Sequence, residues 1–123
     1  MNYQALCEAA SQAGYDAVAK ATITPMIVNQ CASPLDDSSP VVKSWFVEDG
    51  PCGFASIIVK PGNSAFAKFL VKSGIARKHY AGGVSIYVGQ FNQSLQKKEV
   101  YAYAFSKVLN EAGIYSYVDS RMD

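Results

Sequence analysis

Apolar and polar positions along the chain follow two periods. Over Ser94 to Ile114, SLQKKEVYAYAFSKVLNEAGI, the residues Tyr101, Ala104, Phe105, Val108 and Ala112 recur at the spacing of one helical face, with Val100 and Leu109 widening the stripe. Glu99, Tyr103, Ser106, Lys107, Asn110 and Glu111 fall mostly on the other side. The pattern predicts one long helix with a buried and a wet face. Ser94 is its expected N-cap, although Lys97 stands where a capping box would place Glu or Gln. At the far end Gly113 can turn left-handed and Ile114 can fold back onto Leu109, as in a Schellman stop.

Two more helices follow from the same period. Tyr3 to Lys20 carries Tyr3, Leu6, Cys7, Ala10, Ala13, Ala17 and Val18 on or near one face, with Gly14 a candidate early stop. A short helix is expected over Ala65 to Ser73, entered through Pro61-Gly62-Asn63-Ser64 and ended by Gly74-Ile75. Phe66 to Ile75 and Phe105 to Ile114 both read F-x-K-x-L-x-x-x-G-I. Two amphipathic helices stopped by one glycine device account for that without a duplication.

Alternation marks the strands. Val84, Ile86 and Val88 alternate with Ser85 and Tyr87, and Ile114, Ser116 and Val118 alternate with Tyr115 and Tyr117. Val41 to Val47 and Phe54 to Lys60 are β-prone runs separated by Glu48-Asp49-Gly50-Pro51-Cys52-Gly53, which predicts an antiparallel hairpin. Pro25 ahead of Met26-Ile27-Val28 suits a short or edge strand, and Cys31 to Pro40 reads as a mobile loop by composition. Taken in order, these elements predict a single α+β domain over residues 1–123. Its architecture is a two-layer sandwich, three helices against a mixed or mainly antiparallel sheet of four to five strands.

Composition narrows the function classes. Half of the 123 residues are hydrophobic and 17% are charged, enough for one core without disulfide or metal staples. Lys and Arg total 11 against 10 Asp and Glu, so no strong overall field draws the chain to long nucleic acid or an anionic membrane, and electrostatic recognition must come from local clustering. Cys7, Cys31 and Cys52 are an odd number without metal-ligand spacing, and the single histidine, His79, is distant in sequence, which reads as reduced thiols. No signal-peptide pattern and no apolar run of membrane-spanning length stand in the sequence, so a cytoplasmic location is expected.

Candidate chemistry starts from the strands. If Val84, Ile86, Val88, Ile114 and Val118 face the helices, then Tyr87, Tyr115 and Tyr117 emerge opposite, as an open aromatic platform. With Arg77, Lys78 and His79 nearby, these are the parts for stacking a base while pairing its phosphate. The other reading packs the tyrosines under the first helix or into a homodimer face. An anion can be held at the Arg77 to Gly83 loop or at the helix start Gly62-Asn63-Ser64, neither of which matches a P-loop or a dinucleotide fingerprint. Cys52 is the best candidate nucleophile, with His79 the only histidine to activate it. Asp36-Asp37 and Glu48-Asp49 read as solvated turns and no metal or cofactor is expected. Lys97-Lys98-Glu99 reads as solvent-facing charge, yet two lysines in a first turn oppose the helix dipole and hint at something negative nearby.

Three segments together, CGFASIIVKPGNSAFAKFL at Cys52 to Leu70, QSLQKKEVYAYAFSKVLNEAGI at Gln93 to Ile114 and the terminal Ser120-Arg121-Met122-Asp123, resemble a group of small uncharacterised proteins encoded by tailed bacteriophages. The likeness covers the C-terminal two-thirds and carries over no catalytic residue. It implies expression in an infected bacterium and a task such as blocking a host factor, capturing a defence signal or serving the virion. The expectation is a non-enzymatic phage accessory protein that binds a nucleotide-like ligand or a host protein. In it Arg77 and Lys78 pair phosphate with His79 beside them, Tyr80 and Tyr87 stack, and amides near Gly62 to Ser64 (Asn63 and Ser64 among them) or Gly82-Gly83 complete the site. The alternatives are a homo-oligomeric or virion structural protein and a small enzyme using Cys52.

Overall fold

The structure, a computed structural model, describes residues 2–21, 26–31, 41–47, 52–91 and 94–122, with the path of the chain alone in 26–31 and 41–47. The elements in order are α1 (Tyr3–Lys20), β1 (Met26–Cys31), β2 (Val41–Val47), β3 (Gly53–Val59), α2 (Ala65–Lys72), β4 (Arg77–Lys78), β5 (Val84–Tyr87), α3 (Leu95–Glu111) and β6 (Ser116–Met122). A four-stranded sheet of order β4-β5-β3-β6, antiparallel throughout, carries the three helices on one face. This is an α+β sandwich. Among the described residues no helix is long and apolar enough to cross a membrane.

Ala55, Ile57 and Val59 of β3, with Val84, Ile86 and Val88, form the sheet side of the core. Phe66, Ala67 and Leu70 of α2, Tyr101, Ala102, Phe105 and Leu109 of α3, and Cys7 and Ala10 of α1 pack onto them. Each helix begins with a side-chain cap: Asn2 accepts from the Ala5 amide, Ser64 from Ala67 and Ser94 from Lys97. Both α2 and α3 end in a complete Schellman motif. Ile75 N donates to Leu70 O at 2.9 Å and Ile114 N to Leu109 O at 2.9 Å, while Gly74 and Gly113 sit at φ 76° and 85°.

Four expectations need correction. Gly14 does not stop α1; it lies buried inside the helix, where its missing side chain admits the Tyr101 ring of α3. Strands β2 and β3 do not form a hairpin, because β3 is already paired on both edges, by β5 and β6, and β2 pairs antiparallel with β1 instead. The last strand starts two residues late, since Ile114 is used in folding back on the helix, and it then runs to Met122 along the whole of β3. Lys98 and Ser106 are not on a wet face: the buried stripe of α3 runs through Leu95, Lys98, Tyr101, Ala102, Phe105, Ser106 and Leu109. That stripe is rotated from the expected one because α3 packs on the sheet and on α1 at once. The acidic pairs Asp36-Asp37 and Glu48-Asp49 and the loop after Cys31 lie outside the described residues.

Candidate functional site

Strand alternation turns a second set of side chains to the face away from the described helices, where Ile58 at its centre is buried and Tyr87 is exposed. Register aligns Arg77, Ser85, Ile58 and Tyr117 in one cross-strand row, Tyr87, Ser56 and Asp119 in the next, and Phe54 with Arg121 in a third. Tyr87 is 57% exposed, whereas its neighbours in sequence, Ile86 and Val88, are buried against the helices. Helix α1 does not cover this face, because it packs on α3 and places Tyr3 against Phe66 and Phe69 of α2.

A groove of about 410 Å³ opens on this face, lined by Phe54, Ser56, His79, Tyr80, Ser85, Tyr87, Asp119, Ser120 and Arg121. One wall is the β4–β5 turn. His79 N donates to Gly83 O at 3.0 Å and Gly82 N to His79 O at 3.1 Å, with Gly82 and Gly83 at φ 97° and 78°. Glycine is required at 83 twice over, since a Cβ there would also fall 2.4 Å from Val59 O. The tight turn holds the His79 and Tyr80 rings 4.6 Å apart and leaves Tyr80 96% exposed. It is a paired aromatic edge with one face free.

The sequence candidates divide by position. His79, Tyr80 and Tyr87 meet in the groove, and Arg77 borders an adjoining hollow that shares Ser56, Ser85 and Tyr87 with it. Lys78 is paired with Val84, whose side chain points to the helices, so it takes the opposite side of β4 from Arg77. Gly82 and Gly83 build the turn. Ser64 spends its hydroxyl on the α2 cap and borders a different hollow, with Tyr3, Lys60 and Tyr115, and the neighbouring Asn63 is likewise not in the groove lining. Cys52 is exposed at the start of β3, bridged to Ser94, while His79 opposes Gly83 beyond the other end of that strand. The length of β3 separates the thiol from the imidazole, so the Cys–His pair is not assembled. Among the described residues no cluster of His, Cys, Asp or Glu has metal-binding geometry.

Several groove residues escaped the sequence reading. Phe54 and Ser56 were legible in principle as the outward half of the β3 alternation, opposite Ala55 and Ile57. Arg121 was masked because β6 was expected to end at Val118. Lys98, expected as solvent-facing charge near something negative, lies buried behind the groove and outside its lining. It is 2% exposed, its ammonium donates to Gly53 O at 3.1 Å, and it stands 5.4 Å from the Phe54 ring centroid and 5.9 Å from that of Tyr87. Arg121 approaches the same Phe54 ring, at 5.5 Å. With Lys60 over the Tyr117 ring at 5.5 Å and Arg77 on the edge strand, the charged side chains described on this face are mostly cationic, against the carboxylate of Asp119.

The chain matches no known protein family, no curated protein and no solved structure.

Proposed function

We propose that the protein is a non-enzymatic binding protein that captures a nucleotide-like small ligand in the groove on the open sheet face. The observation that carries this reading is the convergence of three aromatic side chains, Phe54, Tyr80 and Tyr87, with a cation, Arg121, and the hydroxyls of Ser56 and Ser85 around one groove. Exposed aromatic faces stack any base, hydroxyls orient a sugar or base edge, and a guanidinium pairs phosphate. The groove's volume of about 410 Å³ lies within the ordinary range for small-ligand sites. In this proposal the setting is the cytoplasm of a bacterium infected by a tailed phage, following the sequence resemblance, and the ligand is a signal or metabolite withdrawn from the host.

Calorimetric titration with AMP, GMP, CMP and UMP tests the reading. Binding of at least one, weakened about tenfold or more by Tyr80→Ala or Tyr87→Ala, is the expected result, since a stacked base is worth roughly 1–3 kcal/mol. Absence of binding by all four would sink it.

A second reading has its own observation. Among the described residues no strand pairs with the outer edge of β6, seven residues long, and Tyr115 and Met122 beside and within it are 62% and 67% exposed. Such an edge suits strand addition by a second copy or a host protein. Sedimentation equilibrium separates the two: a dimer that Tyr117→Asp dissociates supports assembly, and a monomer at high concentration removes its homo-oligomeric form.

A further inference from the structure

Two cations share one aromatic ring on this face, with no carboxylate paired to either among the described residues. The Lys98 ammonium and the Arg121 guanidinium stand 5.4 and 5.5 Å from the Phe54 centroid. A ring quadrupole offsets part of one positive charge at such a distance, and two like charges on one ring repel. Lys98 is the harder to explain, because at 2% exposure it has surrendered its hydration. Of its three N–H donors, one finds an acceptor among the described residues, Gly53 O at 3.1 Å. Buried ammonium groups are ordinarily paired with a carboxylate. Among the described residues none is: Glu99, next in the chain, accepts from Ser120, and Asp119 lines the groove without forming an ion pair with either cation.

The placement is built into the backbone. Gly53 has no side chain, and a Cβ there would fall 2.5 Å from Arg121 O and 2.8 Å from Leu95 Cδ1. The first turn of α3 therefore docks directly on β3, and Lys98 reaches past Gly53 to the Phe54 and Tyr87 rings that wall the groove.

We infer that the Phe54 end of the groove is an oxyanion site of the phosphate class, in which Arg121 contacts the anion and Lys98 supplies the buried positive charge behind the ring. This deepens the proposed function by locating the anionic end of the ligand, and it rests on that reading only for the rest of the ligand. It moves the phosphate away from Arg77 and Lys78. The anion is either free phosphate or the terminal phosphate of a larger molecule.

The test uses the full chain with inorganic phosphate, AMP and adenosine, each at matched ionic strength. Phosphate is expected to raise the melting temperature of the unaltered protein. Lys98→Met and Arg121→Gln should each abolish that shift, and Arg77→Gln should keep it. AMP is expected to bind at least tenfold more tightly than adenosine, and Lys98→Met to erase the difference. Amide shifts on adding phosphate to the unaltered protein should centre on Phe54 and Arg121, which keeps the test open if Lys98→Met does not fold. No phosphate shift, a shift that survives both substitutions, or a map centred on Asn63-Ser64 or Gly82-Gly83 overturns the inference. Adenosine binding without a phosphate effect defeats the inference and spares the stacking reading. A phosphate effect that depends on Lys98 and Arg121, with no nucleoside or nucleotide bound, supports the inference and defeats that reading.

Discussion

Gly14 in the middle of α1 lies flat against the Tyr101 ring of α3, so close that a Cβ built on the glycine would fall 2.5 Å from Cδ2 and 2.7 Å from Cε2. The same tyrosine shares a hydrogen bond with Ser11 Oγ at 2.8 Å, one turn earlier on α1. One side chain thus sets both the spacing and the rotation of α1 against α3.

Gly14→Ala measures how tightly that spacing is held. Helix propensity alone would favour alanine by about 1 kcal/mol. The ring is wedged among Tyr15, Phe91 and Phe105 and has little room to retreat, so overpacking, commonly about 1–3 kcal/mol, should outweigh the propensity gain. Urea unfolding is expected to show a net loss. A gain in stability would mean that α1 slides on α3 without cost.

Alkaline pH probes the same contact. Burial raises the Tyr101 pKa above its ordinary 10.0, partly opposed by its hydrogen bond to Ser11, and burial raises that of the Cys7 thiol above its ordinary 9.0, with the Glu8 carboxylate adding to it. Both groups hold their protons more tightly folded than unfolded, so their contribution is fully present below the unfolded values and is lost as pH rises through the folded ones. The melting temperature should fall from about pH 9 upward. Cys7→Ala should remove the lower part of the fall and Tyr101→Phe the upper part; an unchanged profile in both variants would show that other groups govern it.

Asn110 fixes where β6 begins. Its Oδ1 accepts from Ser116 N at 2.9 Å and its Nδ2 donates to Ser116 O at 3.3 Å, so one amide imitates a neighbouring strand for the first residue of β6. Ser116 Oγ meets Ser106 Oγ at 2.6 Å behind it. Asn110→Ala should cost about 1–3 kcal/mol, because the buried Ser116 loses partners for its main chain. Asn110→Asp can still accept from Ser116 N but cannot donate to Ser116 O, and it should fall between the two. Hydrogen exchange at Ser116 is the direct readout, and protection equal to the unaltered protein in Asn110→Ala would refute the assignment.

Lys98→Met separates a binding role from a structural one. The substitution keeps most of the buried stem and removes an ammonium that no carboxylate offsets among the described residues. Relief of that desolvation should leave the variant at least as stable as the parent in urea. A loss beyond about 2 kcal/mol would instead make the hydrogen bond to Gly53 O and the ring contacts the reason for the lysine.

How much of this was legible beforehand depended on the range of the physics. Local rules acted over a few residues and were read correctly. The span of α1, the Ser64 and Ser94 caps, the Gly74-Ile75 and Gly113-Ile114 stops and the outward turn of Tyr87 each follow from a side chain and its near neighbours in the chain. The candidate face was likewise visible through His79, Tyr80 and Tyr87.

Tertiary structure decided what required two distant segments at once. Strand β2 is as β-prone as β3 suggests, yet its partner is β1, because the edges of β3 were taken by β5 and β6. Gly14 reads as a helix stop until Tyr101 fills the space beside it, and Lys98 reads as a wet lysine until Gly53 offers a carbonyl beneath it. Periodicity and capping are set by bonded geometry and therefore leave a trace in the local sequence. Burial of a particular charge or glycine is set by what packs against it, and that surface belongs to residues about 40 to 90 positions away in the chain.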